Sequence, residues 1–323
     1  MRSHTPWASI LLCAVLLAAG GHARAEEKYP TKPITLIVPG PPGGGTDTLA
    51  RQLAQVVEPI LGVRLVVENK PGAGGAIGTT DVTQARPDGY TLGFIFNGVL
   101  TTLPNTRKVQ YTENDYVPIA QIGYGSYVMC VAPSFPADTA KQFLDELRKN
   151  PGKYTYGDDG VGNTMQLAAE RIFQKFGIKE TAVPFGGAGE TARNFLGGHI
   201  DIYGGSLPPI LPQVAAGKAK CLLLSSAADN PSVPQASGLK ALGVPELDTG
   251  LWWGMIGPKG LPAPIVATLY EAFRKGAETP QVKQALATIG AEPVVRDPAQ
   301  MKTLIDHESA DLGQVAKQIG LAK

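Results

Sequence analysis

The chain has 323 residues, with 29 Lys and Arg against 28 Asp and Glu, and 43% of it is hydrophobic. A charge balance this even offers no basic face for nucleic acid and no cationic stretch for anionic lipid.

At the N-terminus, Arg2 and His4 precede an apolar run from Ala8 to Ala19, and Ala23-Arg24-Ala25 follows. A basic start, a short apolar run and small residues make up a secretory signal peptide. The run falls short of the roughly 18 residues needed to span a bilayer, and no later stretch reaches that length. The mature chain is therefore expected to begin near Glu26 and to be soluble and periplasmic. Cys13 follows Leu12 rather than a small residue, which argues against lipidation. Loss of Arg2 and Arg24 leaves 27 basic against 28 acidic residues, a formal charge of −1. The remaining length suits one large or two medium domains. Export would allow Cys130 and Cys221 to pair. Each also sits in an apolar run, YVMCVAP or KCLLLSS, where free cysteine packs as a small hydrophobe, and this second reading is the favoured one.

Along the mature chain, short β-branched runs alternate with segments of helical period, as in an α/β fold with mainly parallel sheets. ITLIVP (34–39) reads as the first strand. Leu49, Leu53, Val56, Val57 and Ile60 then recur at helical spacing and predict a helix from Thr46 to Leu61. RLVVEN, TLGFIF, VPIAQIG and YVMCVAP read as strands. A helix follows between Asp138 and Asn150, with Thr139 as N-cap. KYTYG opens a second unit whose helix puts Met165, Ala168, Ala169, Ile172, Phe173 and Phe176 on one face and stops at Gly177. Asn163 and Gln166 have capping-box spacing at its start. TAVPF, HIDIY, KCLLLSS and LWWGMIG supply further strands, and helices are expected near 264–278, 280–289 and 298–318. Two long extended crossings, near 117–132 and at LWWGMIG, suggest two lobes: residues 26–125 with 250–323, and residues 126–249.

Glycine-rich turns follow five of these strands: PGPPGGGTD (39–47), FNG (96–98), GDDGVGNT (157–164), PFGGAGE (184–190) and YGGS (203–206). In open α/β sheets, ligands bind beyond the carboxyl ends of strands, where such loops converge. Without Cβ atoms the backbone can come close to a ligand and present its N–H groups. Two of these loops lead into helix starts, which carry unpaired donors and partial positive charge. Facing one another, they would clamp an anion. The loops contain no Lys, Arg or His, so backbone dipoles would hold a carboxylate, with Thr46, Asn163, Thr164 and Ser206 as side-chain donors. Any one such turn alone reads as a chain reversal; their convergence is what points to a ligand.

Enzyme signatures fail. The third glycine of a dinucleotide loop at Gly72-Ala73-Gly74-Gly75-Ala76-Ile77-Gly78 would fall on Ile77, and no Walker lysine follows. There is no G-x-S-x-G elbow. His199 and His307 lack metal spacing and read as surface or satisfied residues. Asp158 and Asp159, adjacent in sequence, read as turn residues rather than an acid pair.

YPTKPITLIVPGPPGGGTDTLAR, VVENKPGAGGAIGT, PDGYTL, VPFGGAG, IDI running into LPPILPQVAAGK, and WWGMIGPKGLPAPIV, in that order, resemble the Bug-type substrate-binding receptors of tripartite tricarboxylate transporters. The resemblance spans nearly the whole mature chain. It implies a type II periplasmic binding protein, a Venus flytrap of two α/β lobes closing on an organic acid, with membrane permease subunits as partners, no cofactor and a monomeric state. It also implies a carboxylate gripped between two loops that match Pro41 to Asp47 and Gly160 to Gln166. The residues singled out as ligand contacts are Pro41, Pro42, Gly43, Gly44, Gly45, Thr46, Asp47, Phe96, Asn97, Gly98, Gly160, Gly162, Asn163, Thr164, Gln166, Phe185, Gly186, Gly187, Gly205 and Ser206. Three positions depart from the family pattern. Phe185-Gly186-Gly187 stands where Tyr-Lys-Gly is frequent, Gly204-Gly205-Ser206 where Phe-Asp-Asn is frequent, and Asn163 and Gln166 where Ser and His are common. A larger, less charged far wall follows, better suited to an aromatic acid or a longer dicarboxylate than to a compact tricarboxylate. A ligand-sensing subunit for an extracytoplasmic signalling partner is the alternative role.

Overall fold

The computed structural model describes residues 29–323, and the expected signal peptide and cleavage point, with Cys13, lie outside the described residues. β1 (Ile34–Val38) leads into α1 (Gly45–Leu61), which buries Leu49, Ala50, Leu53, Ala54 and Val57 and ends at Gly62 in the left-handed region. β2 (Leu65–Asn69), α2 (Ala76–Thr83) and β3 (Thr91–Phe96) follow. Two single turns, α3 (Gly98–Thr101) and α4 (Leu103–Thr106), precede the long β4 (Tyr116–Gly125). The chain then continues through β5 (Tyr127–Val131), α5 (Ala140–Lys149), β6 (Thr155–Asp158) and α6 (Thr164–Phe176). It proceeds through β7 (Thr181–Pro184), α7 (Ala188–Leu196), β8 (Ile202–Ser206), α8 (Leu211–Ala215) and β9 (Lys220–Leu224). β10 (Leu251–Pro258), α9 (Ala263–Ala277), α10 (Pro280–Thr288), β11 (Ala291–Arg296) and α11 (Pro298–Gln318) complete it.

The strands form two sheets, ordered β11-β4-β10-β3-β1-β2 and β7-β6-β8-β5-β9. Both are mixed rather than mainly parallel, which corrects the expectation. β1 pairs parallel with β2 and β3, and β6 parallel with β7 and β8. β10 runs antiparallel to β3 and β4, and β5 antiparallel to β8 and β9. The physical cause lies in the crossings. β4 carries the chain out of one sheet and β10 brings it back in the opposite direction, paired from Leu251↔Gly125 to Pro258↔Tyr116.

Each sheet buries apolar side chains on both faces. Leu53, Leu269, Phe273 and Leu286 cover one face of the first sheet, and Val82, Met301 and Ile305 cover the other. Between the sheets, Leu167 of α6 packs on Leu312, Val315 and Ala316 of α11. Arg171 of α6 pairs with Asp311 of α11 beside that contact. Glu308 of α11 is deeply buried, and its carboxylate accepts from Asn97 Nδ2 (2.7 Å), Thr101 Oγ1 (2.7 Å) and Trp252 Nε1 (2.8 Å). It thus ties the end of β3 to the return crossing.

Six elements escaped sequence reading, the short α3, α4 and α8 among them. β11 contains Pro293, which breaks the strand signal and is tolerated because β11 is an edge strand. α2 has little apolar periodicity and forms where close packing demands glycine. A Cβ at Gly78 would lie 2.7 Å from the Lys70 carbonyl. α7 is another. The cap of α6 also differs from expectation. Gln166 Oε1 accepts from Gly162 N (2.7 Å), one residue before the N-cap, and Asn163 Nδ2 donates to the Asp159 carbonyl (2.6 Å). No capping box forms, because the side chains bind the preceding loop instead.

Cys130 and Cys221 form a disulfide, S–S 2.01 Å, where free thiols were favoured. The antiparallel register sets the two residues directly opposite one another in β5 and β9. Replacing both by Ala opens a link between residues 91 apart, and urea unfolding is expected to show a loss of about 2–4 kcal/mol. Glu308→Ala strands three buried donors, and the same measurement is expected to show a loss of about 3 kcal/mol or more, with Glu308→Gln milder.

Candidate functional site

A cavity of about 350 Å³ opens between the two sheets, a size suited to a small ligand. From the first sheet its wall takes Pro39, Gly40 and Pro41 after β1, and Pro71, Gly72, Gly74 and Gly75 after β2. Phe96, Gly98, Thr102 and Leu103 follow β3. The opposite wall is Tyr127 at the start of β5, Asp159 after β6, and Asn163, Thr164 and Met165 at the start of α6, with Leu251 at the return crossing. Carboxyl ends of the parallel strands β1, β2, β3 and β6 thus converge on it.

The two walls touch at one edge. Thr102 Oγ1 lies 2.9 Å from Thr164 Oγ1, and a Cβ on Gly98 would stand 3.0 Å from the same Thr164 oxygen. Glycine at 98 lets the β3 loop approach α6 this closely. Gly75, at φ 100°, has the same use: a Cβ there would meet Val99 at 2.6 Å and the Pro39 carbonyl at 3.1 Å. Thr106 Oγ1 and Arg107 Nη2 reach the carbonyls of Gly162 and Val161, each at 3.3 Å, and extend the contact outward.

Of the residues singled out from sequence, Pro41, Phe96, Gly98, Asn163 and Thr164 lie in this wall, and the others lie outside it. Gly43 N donates to Asp47 Oδ2 (2.8 Å) and Gly44 N to the Pro41 carbonyl (3.3 Å), so both amides are spent within the turn. Asp47 also pairs with Arg51, 2.9 Å away. Thr46 Oγ1 accepts from Trp253 Nε1 (3.0 Å), leaving Pro42 and Gly45 exposed beside it. Asn97 is fully buried and donates to the Gly250 carbonyl and to Glu308, a structural role. Gly160 N donates to Asp158 Oδ1 (2.7 Å), which makes Asp158 the turn residue expected of it. Gly162 is bonded to Gln166, as above. Gly186 N is taken by Glu190 (2.9 Å), with Phe185 and Gly187 on either side. The Ser206 carbonyl accepts from Tyr203 (2.6 Å), beside Gly205.

Sequence reading missed Gly72, Gly74 and Gly75, although they follow β2 as the other loops follow their strands. The dinucleotide-like spacing of the segment masked its place at the end of β2. Tyr127 and Asp159 had no local signal. The Asp159 Oδ1 atom is buried without a hydrogen-bond partner. Burial, and after it the charge of Asp158, pushes its carboxyl up to about 7. Burial, with Asp159 adding to it, also raises the Tyr127 phenol well above its ordinary value, so it stays protonated. The wall carries no Lys, Arg or His. Among the described residues no cluster could hold a metal ion, and no helix is long and apolar enough to cross a membrane.

The profile of the tripartite tricarboxylate transporter family receptor matches residues 49–321. A Cupriavidus necator protein described as a UPF0065 protein in the gbd 5' region is 31% identical, over 96% of this chain and 94% of its own. A TctC solute binding protein from Polaromonas, solved without ligand, superposes with a TM-score of 0.81 at 31% identity, over 90% of this chain and 100% of that one. The R. palustris protein Rpa4515, solved with adipate, gives a TM-score of 0.75 at 29% identity, over 91% and 99% of the two chains.

The raised Asp159 carboxyl makes the free protein pH-dependent in a defined direction. Its contribution to stability is fully present below pH 4 and lost as pH rises through about 7. Asp159→Asn, neutral throughout, is expected to match the parent near pH 4 and to exceed it by on the order of 2 kcal/mol at pH 8. Thermal unfolding across that range checks this.

Proposed function

This chain belongs to the tripartite tricarboxylate transporter receptor family, and we propose that it is exported to the periplasm, closes two lobes on a small organic carboxylate and delivers it to the membrane subunits of such a transporter. The observation that carries this reading is the cavity itself: the first turn of α6 faces the glycine loops after β1 and β2 across a wall without Lys, Arg or His. The first amides of a helix have no partner within the helix and carry partial positive charge. At Thr164 and Met165 they can bond a carboxylate without a counter-cation. Across the cleft, the α1 amides of Gly45, Thr46 and Asp47 would join them in the closed form. In this reading one lobe is residues 26–125 with 250–323, the other residues 126–249, and the paired crossings β4 and β10 are the hinge.

The sequence also bears on the ligand's far end. Phe185-Gly186-Gly187 and Gly204-Gly205-Ser206, outside the wall described above, would border that end on lobe closure and bring no charge to it, so a ligand with a long or aromatic body would be accommodated better than one with three carboxylates. The adipate held by the R. palustris neighbour is of that extended kind.

Calorimetry with adipate, phenylacetate and citrate tests the reading, and adipate or phenylacetate is expected to bind at least about ten-fold tighter than citrate, a difference of about 1.4 kcal/mol. Equal affinities would remove the proposal of a long or aromatic body. Trp253 pairs across strands with Phe96 of the cavity wall. Its fluorescence should therefore change on binding, and Trp253→Phe should remove most of that change.

A further inference from the structure

Asp159 is the one ionisable side chain in the cavity wall besides the Tyr127 phenol. Its placement has no structural explanation within the chain. Asp158, its neighbour, is occupied in the turn by Gly160 N. Asp159 Oδ1 is buried with no hydrogen-bond partner, and neither of the tyrosines that feel its charge satisfies it. Tyr203 donates to the Ser206 carbonyl, and Tyr127 lies toward Thr164. A buried carboxyl left unpaired costs several kcal/mol, as a rule, unless a partner arrives. The Asn163 side chain bonds the Asp159 carbonyl at 2.6 Å, which fixes Asp159 beside the start of α6. Asp159 lines the same cavity as Asn163, Thr164 and Met165 at that helix start.

We propose that Asp159 is a specificity-determining residue that selects ligands carrying a hydrogen-bond donor, an ammonium or a hydroxyl, close to the carboxylate bound at the start of α6. The assignment rests on the carboxylate reading above and narrows it. One carboxylate meets main-chain amides while the donor beside it meets Asp159, so that both buried groups are paired at once. A plain acid of the same skeleton would bring its negative charge up to Asp159 and leave Oδ1 without a donor.

Two matched series test this in calorimetry at pH 8: adipate with 2-hydroxyadipate and 2-aminoadipate, and 3-phenylpropanoate with 3-phenyllactate and phenylalanine. In whichever series binds, the hydroxy or amino acid is expected to exceed its parent acid by ten-fold or more. Asp159→Ala should abolish that preference. Asp159→Asn, which keeps an acceptor oxygen and guards against misfolding of the alanine variant, should retain preference for a hydroxyl and lose it for an ammonium. Parent acids binding as tightly as their substituted forms, or a preference that survives Asp159→Ala, overturns the assignment and leaves the carboxylate reading standing. Parent acids that bind tightest, and more tightly at pH 5 than at pH 8, would mean that a protonated Asp159 donates to the ligand's own carboxylate, which also overturns it. If no acid of either series binds, nor phenylacetate nor citrate, the carboxylate reading itself falls, and the assignment falls with it.

Discussion

The antiparallel pairing of β4 with β10 is the constraint on which the two halves of this molecule depend. Both strands leave one sheet for the other, and their mutual hydrogen bonds make the two crossings a single ribbon. Glu308 locks that ribbon to the end of β3 by accepting three buried hydrogen bonds, from Asn97, Thr101 and Trp252. A carboxylate so deep is tolerable only because every donor around it is pointed at it. The same bonds hold the FNG turn, so that Phe96 and Gly98 reach the cavity while Asn97 turns inward.

From this ribbon the cavity inherits its character. Loops at the carboxyl ends of parallel strands come together from both sheets, and glycine lets them approach to van der Waals distance, as Gly75 does against Val99 and Gly98 against Thr164. Glycine and proline make up much of this surface. The polar side chains that remain are few. Thr102 and Thr164 are engaged with each other, and Asp159 is left with a buried oxygen that nothing in the chain satisfies.

In the second sheet, the disulfide and the cavity wall share a strand. The Cys130–Cys221 link joins β5 to β9, and β5 also begins with Tyr127 of the cavity wall. The disulfide thus anchors a strand whose first residue faces ligand space, while the ion pair of Arg171 with Asp311 and the apolar contact of Leu167 with Leu312 join α6 to α11.

The sequence by itself determined the alternation of strands and helices, the stop at Gly177, the cap at Thr139, and the glycine turns after β1, β3, β6 and β7 with their lack of basic residues, whereas YGGS (203–206), expected as a turn, lies within β8 because it pairs with β5. These are properties of neighbours along the chain, and period and turn chemistry report them directly. Tertiary structure alone decided strand direction, since the crossings reverse it, and the edge strand β11, whose Pro293 is acceptable only where no further strand must pair. It alone decided that Cys130 and Cys221 face one another, because register between distant strands is set by the whole sheet. It decided, too, which of the predicted loop residues meet in one cavity: Pro41, Phe96, Gly98, Asn163 and Thr164 do, whereas Asn97 is drawn to Glu308 and Gly43 to Asp47. Desolvation of Asp159 belongs to this second class. A carboxyl loses its water only when the walls of a cleft close around it, and no spacing in the chain encodes that.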